Sequence, residues 1–550
     1  MRVTGFSQAM APLTCGEALL RLLEQYAVDT VFGIPGTHTL ELYRGIAKSN
    51  VQHIQARHEQ GAGFMADGYA RVRGKPGVCM VISGPGVTNI TTALGQAYAD
   101  SIPLLLISSV TPSTSLHKGW GCLHEISDQQ AVTAPLTAFS ATVRSPAELP
   151  ELIGQAFAIF AAARPRPVHI AIPTDLLAQP IVGEWMVCKP PARPLPDPIA
   201  VRAAVALLAR AERPILMLGG GLLNSHLDDK DLSNCLTELA ERLGAGIITS
   251  NAGKGLVRDS HPLNLGASIS RSTTQRYLAR ADVVVALGTE LADSESFVER
   301  LEINGKIIRV DIDHSKLNDL YPAEIGLIGD AGATATRLLD ELRSNAVKSD
   351  WAAVAQEIAT VRTQLSAELS PAEQQHQRLC QLLRAILPAD AVVMADMTQL
   401  SYTGSLAFPT EQPRRWLHAA GYCTLGCALP MAIGAKVAQP QQPVAVLVGD
   451  GGFLFTVQEL ATAVELGLSL PIILWNNDGF GEIRDGMNRR NIPPIGVSGR
   501  NPDFVALMQA FGGRGVRPTG AEAFTTAIAE ALHTPMPTLI EVRQDAPWLT

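Results

Sequence analysis

Short apolar runs rich in β-branched residues recur along the whole chain. They fall at Thr30–Phe32, Val78–Ile82, Leu104–Ser108, Val168–Ile172, Ile215–Leu218, Gly246–Thr249, Val283–Leu287, Ile307–Val310, Ala391–Met394, Val444–Val448 and Ile472–Trp475. Between them lie stretches with helical spacing; Val457, Leu460, Ala461, Val464 and Leu468 fall at i, i+3, i+4, i+7 and i+11. Strands that are apolar throughout are those buried on both faces, and their alternation with helices is the pattern of parallel sheets covered on both sides. The predicted fold class is α/β, with doubly wound parallel sheets. The Pro-rich stretch Lys189–Pro198 (KPPARPLPDP) reads as a linker, and a polar helical stretch runs from about Asn345 to Gln377. Three domains are therefore expected, at 1–188, 189–345 and 346–550, with the first and third compatible with one α/β plan.

Composition narrows the setting. Of 550 residues, 47% are hydrophobic and 17% charged, which excludes disorder as the main state. Lys and Arg number 44 against 52 Asp and Glu, a net charge of −8, and no basic run exceeds the pairs Arg414-Arg415 and Arg489-Arg490. Nucleic acid is therefore not an expected partner. The eight cysteines form no CxxC pair, so neither a zinc site nor a disulfide framework is written, and a reducing cytoplasm suits them. Met1–Pro12 carries no sustained apolar stretch, and runs such as Ala156–Ala163 fall short of the roughly 18 residues of a membrane span. No membrane association is expected. The 47 glycines and 36 prolines are somewhat above ordinary usage, and many stand at the ends of the apolar runs.

Two of those ends carry chemistry. The run Val444–Val448 leads into Gly449-Asp450-Gly451-Gly452, and Ile472–Trp475 leads into Asn476-Asn477-Asp478-Gly479. Residues 452–475 hold one crossover helix, so Asp450 and Asn477 are expected side by side at the carboxyl edge of one parallel sheet. A carboxylate, an amide oxygen and a backbone carbonyl are hard donors suited to Mg²⁺, which commonly shares its shell with phosphate. Gly451 and Gly452 offer bare N–H groups beside it.

This pair of motifs resembles the signature of thiamine diphosphate enzymes, in particular the pyruvate oxidase, acetolactate synthase and 2-oxo acid decarboxylase group, and the likeness extends over nearly the whole chain. The resemblance implies three domains of the pyruvate oxidase-like type, with a pyrimidine-binding first domain and a diphosphate-binding third. It implies Mg²⁺ held by Asp450, Asn477 and the Gly479 carbonyl. The segment RHEQGAGFMADGYAR then carries Glu59 as the carboxyl that meets the cofactor's aminopyrimidine N1′. In Gly421–Pro430, Leu425 is the wedge that bends the cofactor, while the Cys423 carbonyl and the Leu425 N–H bind the pyrimidine edge. Gln399, Gly451, Gly452, Phe480, Gly481, Glu482 and Ile483 complete the cofactor contacts. Ser83–Asn89 shapes the pocket, and Cys423 and Cys427 are read as packing residues. The family also implies that Glu59 of one subunit meets the cofactor held by Asp450 of another, giving at least a homodimer and, by expectation, a homotetramer.

Two departures bear on the substrate. Acetolactate synthases commonly carry Gly-Met-Val and then a Trp where this chain has Gly481-Glu482-Ile483 and Gly486. Glu482 is either an exposed helical carboxylate, paired with Arg484 or Asn488, or an inward one that would select a cationic tail, a guanidinium best of all. With the second reading the chain resembles the 2-ketoarginine (5-guanidino-2-oxopentanoate) decarboxylase branch, releasing 4-guanidinobutanal and carbon dioxide. The rival readings are a carboligase making acetolactate from pyruvate and a non-catalytic cofactor-binding relative, the latter disfavoured by the joint presence of Glu59, Asp450 and Asn477. His124, in Leu123-His124-Glu125, and His117 are candidate proton donors. FAD is not implied: Gly219-Gly220-Gly221 lacks the further Gly of a dinucleotide fingerprint, and Gly266–Ile269 lacks the flavin-dependent relatives' motif.

Overall fold

The computed structural model describes residues 12–225, 227–345 and 350–549. Met1–Ala11, where no apolar leader is expected, lies outside the described residues, as do residues 346–349 of the polar stretch. The chain separates into two compact units, one holding most of the chain up to Pro191 and the other the remainder.

In the first unit, β1 (Thr30–Gly33), β2 (Gln52–Gln55), β3 (Gly77–Val81), β4 (Leu104–Val110), β5 (Phe139–Thr142) and β6 (Val168–Pro173) form one parallel sheet in the order β2-β1-β3-β4-β6-β5. β1, β3, β4 and β6 are buried at every position, which is why they read as continuous apolar runs. The helix Cys15–Gln25 opens on a reciprocal cap: the Glu17 N–H donates to Thr14 Oγ1 and the Thr14 N–H to Glu17 Oε2. Its leucines 19, 20, 22 and 23 are fully buried in the core formed with Val31, Met80, Leu105, Ile107 and Ile170.

The second unit contains two further parallel sheets. One orders β7 (Pro214–Leu218), β8 (Gly246–Thr249), β9 (Val283–Leu287), β10 (Lys306–Asp311) and β11 (Ile325–Ile328) as β11-β10-β9-β7-β8. The glycine triplet after β7 has a packing reason: the Gly221 N–H donates to the Gly288 carbonyl, closing the β7 exit onto that of β9. The other sheet orders β12 (Val392–Ala395), β13 (Trp416–His418), β14 (Val444–Gly449), β15 (Leu470–Asn476), β16 (Arg514–Val516) and β17 (Pro537–Arg543) as β13-β12-β14-β15-β17-β16. Counted from its own first strand, this repeats the strand order of the first sheet. The α/β class with three parallel sheets is as expected. The stretch read with helical spacing at 457–468 is a 3₁₀ turn, Val457–Glu459, followed by the helix Leu460–Glu465. Among the described residues no helix is long and apolar enough to cross a membrane.

Three imidazoles are sealed into these cores. Burial pushes His169 down to about 3, and His376 and His418 to about 4 each. An unfolded histidine titrates near 6.5, so between those values the unfolded chain takes up protons that the folded chain refuses. The stabilisation is complete above pH 6.5 and is lost as pH falls toward 4 and below. The thermal midpoint should therefore drop progressively from pH 6.5 to 4.5, and His169→Gln should make that drop shallower; an equally steep profile in the variant would count against this origin.

Candidate functional site

In the third sheet the chain order reverses between the neighbours β12 and β14, and such a reversal opens a crevice at the carboxyl edge. Asp396 leaves β12, Asp450 leaves β14, and Asn477 leaves β15, which pairs with β14 up to Gly449 against Trp475. Asp396 is fully buried. Its Oδ1 accepts the N–H groups of Met397 at 2.9 Å and Gly426 at 3.0 Å, and its Oδ2 that of Ala428 at 3.0 Å. Burial raises its pKa while these donors oppose the shift. This carboxyl ties the 421–428 segment, with Cys423 and Leu425, to the end of β12.

Asp450, 1% exposed, accepts from the Gly479 N–H at 2.8 Å and from the Asn501 amide at 2.7 Å, both at Oδ2. Burial raises its pKa against those hydrogen bonds. The near end of the Asn477 amide lies 3.2 Å from Asp450 Oδ1 and 2.8 Å from the Gly479 carbonyl oxygen. Which end that is follows from the far end, where Asn477 Nδ2 donates to Gln399 Oε1 at 3.2 Å. Gln399 in turn commits its Nε2 to Asp485 Oδ2 at 2.8 Å and Glu482 Oε2 at 3.3 Å. Turning the Asn477 amide over would satisfy the loop oxygens but set its own oxygen against that of Gln399. The network therefore points Asn477 Oδ1 at two other oxygens, a repulsive arrangement that a cation relieves. Neighbouring oxygens of an octahedral Mg²⁺ shell with ligands at 2.0–2.1 Å stand about 2.9 Å apart, and the observed spacings bracket that value. The donor set fits the metal.

The loop geometry depends on glycine at two places. Gly479 has φ +137°, and a side chain there would run into the Val497 carbonyl. At Gly481 an added Cβ would lie 2.3 Å from Asn477 Nδ2 and 2.8 Å from Gln399 Oε1. Gly481 opens the helix Gly481–Arg489, on which Ile483 is exposed, as Phe480 is just before it. Leu425 is half-buried. Cys427 is buried as expected, but Cys423 is exposed: its φ of +54° turns it outward, and its thiol donates to the Ala420 carbonyl. Glu482 is 46% exposed and lines a cavity of about 700 Å³ together with Tyr402, His418, Cys423, Glu295 and Arg489. Its charged partner is Arg489, at 3.1 Å, rather than Arg484 or Asn488; Arg484 donates to the Asn477 carbonyl.

In the first unit, Glu59 is the first residue of helix Glu59–Arg73, 8% exposed, with Oε2 accepting from the Asn89 amide at 2.9 Å. His124 stands in the loop after β4 with φ +60°, its carbonyl against Gly84 and its Nδ1 buried without a hydrogen-bond partner among the described residues. Its ring meets that of His38 edge-on at 5.2 Å, and His38 Nδ1 lies 2.5 Å from Ser83 Oγ. Burial, then His124, lowers the His38 pKa. His117 lies apart, with Nδ1 3.0 Å from the Ser127 carbonyl. His38, Asp485 and Asn501 were not singled out from sequence. His38, which follows the Gly33-Ile34-Pro35-Gly36 exit of β1, is the one with a readable signal.

Residues 13–132 match the family model for the thiamine pyrophosphate enzyme, N-terminal TPP binding domain; 201–338 match its central domain and 396–542 its C-terminal TPP binding domain. A probable 2-ketoarginine decarboxylase of Pseudomonas aeruginosa is 53% identical over 98% of this chain and 95% of that protein. The acetolactate synthase of Mycobacterium bovis is 33% identical over 95% of this chain and 86% of its own length, and the isozyme 1 large subunit of Escherichia coli K12 32% over 99% and 96%. The chain belongs to the thiamine pyrophosphate enzyme family.

Gly481→Ala, which forces Asn477 and Gln399 apart, should weaken thiamine diphosphate binding by about tenfold or more with the far-ultraviolet circular dichroism unchanged, given that a lost hydrogen bond to a charged site is worth roughly 1.5–3 kcal/mol. Unaltered cofactor affinity would show that the Asn477 position does not matter to binding.

Proposed function

We propose that this protein is a thiamine diphosphate- and Mg²⁺-dependent decarboxylase of 5-guanidino-2-oxopentanoate, consuming one proton and releasing 4-guanidinobutanal and carbon dioxide. The observation that carries this reading is the 53% identity over 98% of the chain with a protein named as a probable 2-ketoarginine decarboxylase, against about a third for the acetolactate synthases. Glu482 on the wall of the cavity supports it, as does Gly486, where an added Cβ would meet nothing nearer than Arg489 Nη2 at 3.8 Å.

When bound, thiamine diphosphate supplies a nucleophilic carbon and a sink for the electrons that carbon dioxide leaves behind. In this proposal Asp450, Asn477 Oδ1 and the Gly479 carbonyl hold Mg²⁺, and the N–H groups of Gly451 and Gly452 face the diphosphate. Gln399 acts through Asn477, fixing its amide. The Glu59 carboxyl, oriented by Asn89, holds and moves a proton at the aminopyrimidine N1′. The Cys423 carbonyl and Leu425 N–H would hold the pyrimidine edge, the Leu425 side chain would support the rings, and Phe480, Gly481 and Ile483 would line the same site. His124 holds the proton delivered to the product carbon. The exposed Tyr422, Phe455, Phe480 and Ile483 support a second copy covering these loops, so that a homodimer or homotetramer completes each site. The eight cysteines, with no CxxC pair among them, suit a cytoplasmic setting. The divisions at 1–188, 189–345 and 346–550 belong to the same proposal.

Purified protein with thiamine diphosphate and Mg²⁺ should release carbon dioxide from 5-guanidino-2-oxopentanoate with kcat/KM at least about a hundredfold above that for pyruvate, on the worth of two charge-assisted hydrogen bonds; preferential acetolactate formation from pyruvate would establish the carboligase instead. Glu59→Gln should lower kcat by roughly 10²–10⁴-fold while cofactor binding persists.

A further inference from the structure

The pair between Glu482 and Arg489 spans two helical turns, an unusual reach within one helix. Side chains three or four residues apart meet directly, but seven residues separate these two by roughly 10 Å of axial rise. The intermediate position on the same face, four residues after Glu482 and three before Arg489, is Gly486. A side chain there would stand between the partners. With none, the Arg489 guanidinium lies back along the helix, 3.8 Å from where the Gly486 Cβ would be, and one of its nitrogens donates to Glu482 Oε1 at 3.1 Å. Among the described residues that is the only side-chain hydrogen bond of Arg489, whose side chain is 66% exposed. Among the described residues the other carboxylate oxygen has only the long 3.3 Å contact from Gln399. Both partners line the same cavity of about 700 Å³.

We propose that Arg489 is a resident guanidinium, occupying the Glu482 carboxylate until the guanidinium of the substrate replaces it. The inference rests on the guanidino-acid reading and extends it. A single hydrogen bond to a half-exposed carboxylate is weak, whereas a free guanidinium can offer the same carboxylate two parallel N–H donors. The exchange keeps a cation beside Glu482 in both states, so the carboxylate does not lose its counter-charge when the tail enters. An uncharged tail would have to displace Arg489 and leave Glu482 without that partner, which disfavours neutral 2-oxo acids of the same length. Arg489 is in this sense a specificity-determining residue that acts by competition.

The test is a calorimetric titration of the holoenzyme with 5-guanidinopentanoate, which lacks the reacting carbonyl, and with hexanoate as the uncharged control. Glu482→Gln should weaken the guanidino ligand roughly tenfold or more relative to hexanoate. Arg489→Ala should act in the opposite direction, tightening the guanidino ligand by roughly two- to fivefold as the competing pair is lost, and this gain should vanish in the Glu482→Gln, Arg489→Ala double variant. Unchanged or weakened binding in Arg489→Ala, or a gain that persists without Glu482, overturns the proposal. A wild-type protein that turns over no guanidino-2-oxo acid would bring down the substrate reading itself, whereas full turnover with no tightening in Arg489→Ala brings down this inference alone.

Discussion

The candidate site hangs on the carboxyl of Asp396. It has no exposure to solvent, and a carboxylate in that position is tolerable only with its oxygens occupied by donors. The Cys427 side chain hydrogen-bonds to it, and three further donors are backbone N–H groups, two of them from the 421–428 segment. A side-chain donor could swing away, but these cannot leave without moving the chain. Gly426 and Ala428 are thereby held at fixed height above β12, and Gly452, on which an added Cβ would stand 2.7 Å from Asp396 Oδ1, is pressed against the same group from the β14 side. One buried carboxyl thus sets the separation of the two walls, and Asp450 inherits its position from it.

Asp396 and Asp450 leave neighbouring strands and are both almost wholly buried, yet their donors differ. Asp396 has each oxygen satisfied by the protein. Asp450 takes hydrogen bonds from the Asn501 amide and from the backbones of Gly479, Gly451 and Asn477, and its Oδ1 also lies 3.2 Å from the Asn477 amide end. The chain Asp485, Gln399, Asn477 transmits a preference from a carboxylate on the helix to the amide facing the loop. In that chain each amide has one permitted orientation, because its neighbour has already spent its donor. The first sheet, with the same strand order, uses its carboxyl edge differently: β2, β1, β3 and β4 lie in sequence across the sheet, and their exits carry Glu59, His38, Ser83 and His124 in turn. Repeating one topology supplied two edges of the same shape, one furnished with proton-carrying groups and the other with hard oxygen donors.

How much of this was legible follows from burial. β14 and β15 are apolar at nearly every position because both faces are covered, so their ends could be read and Asp450 and Asn477 placed side by side. β17, Pro537–Arg543, adjoins β15 but was not singled out. It interrupts its apolar pattern with Thr538 and Glu541, and Glu541 is buried only because Asn476 and Arg517 hydrogen-bond to it. β5, β11, β13 and β16 are edge strands of three or four residues and lack the continuous β-branched apolar run of the central strands. Among site residues, Glu59 was legible from its segment. The partner of Glu482 was not: local spacing favours residues within one turn, and the actual partner reaches across two turns because a glycine clears the way. His38 follows a readable strand exit, but its place beside His124 depends on strand order, which sequence periodicity does not encode.

The site also divides by depth. Asp396, Asp450 and Asn477 are buried and hydrogen-bonded, and removing one partner from such a set leaves an uncompensated charge or donor at a cost of several kcal/mol. Glu482 and Arg489 are half-exposed, share one hydrogen bond, and sit on a nine-residue helix whose other exposed side chains touch little. Exchanges there cost roughly 0–1 kcal/mol of stability. On the proposed reading, substitutions of Glu482 or Arg489 that alter which 2-oxo acid is admitted are thus nearly free for the fold, while those at the buried carboxylates are not. On the same reading, a chain can keep the buried core of the site and change its substrate on this helix, where Glu482 and Gly486 depart from the acetolactate synthase pattern.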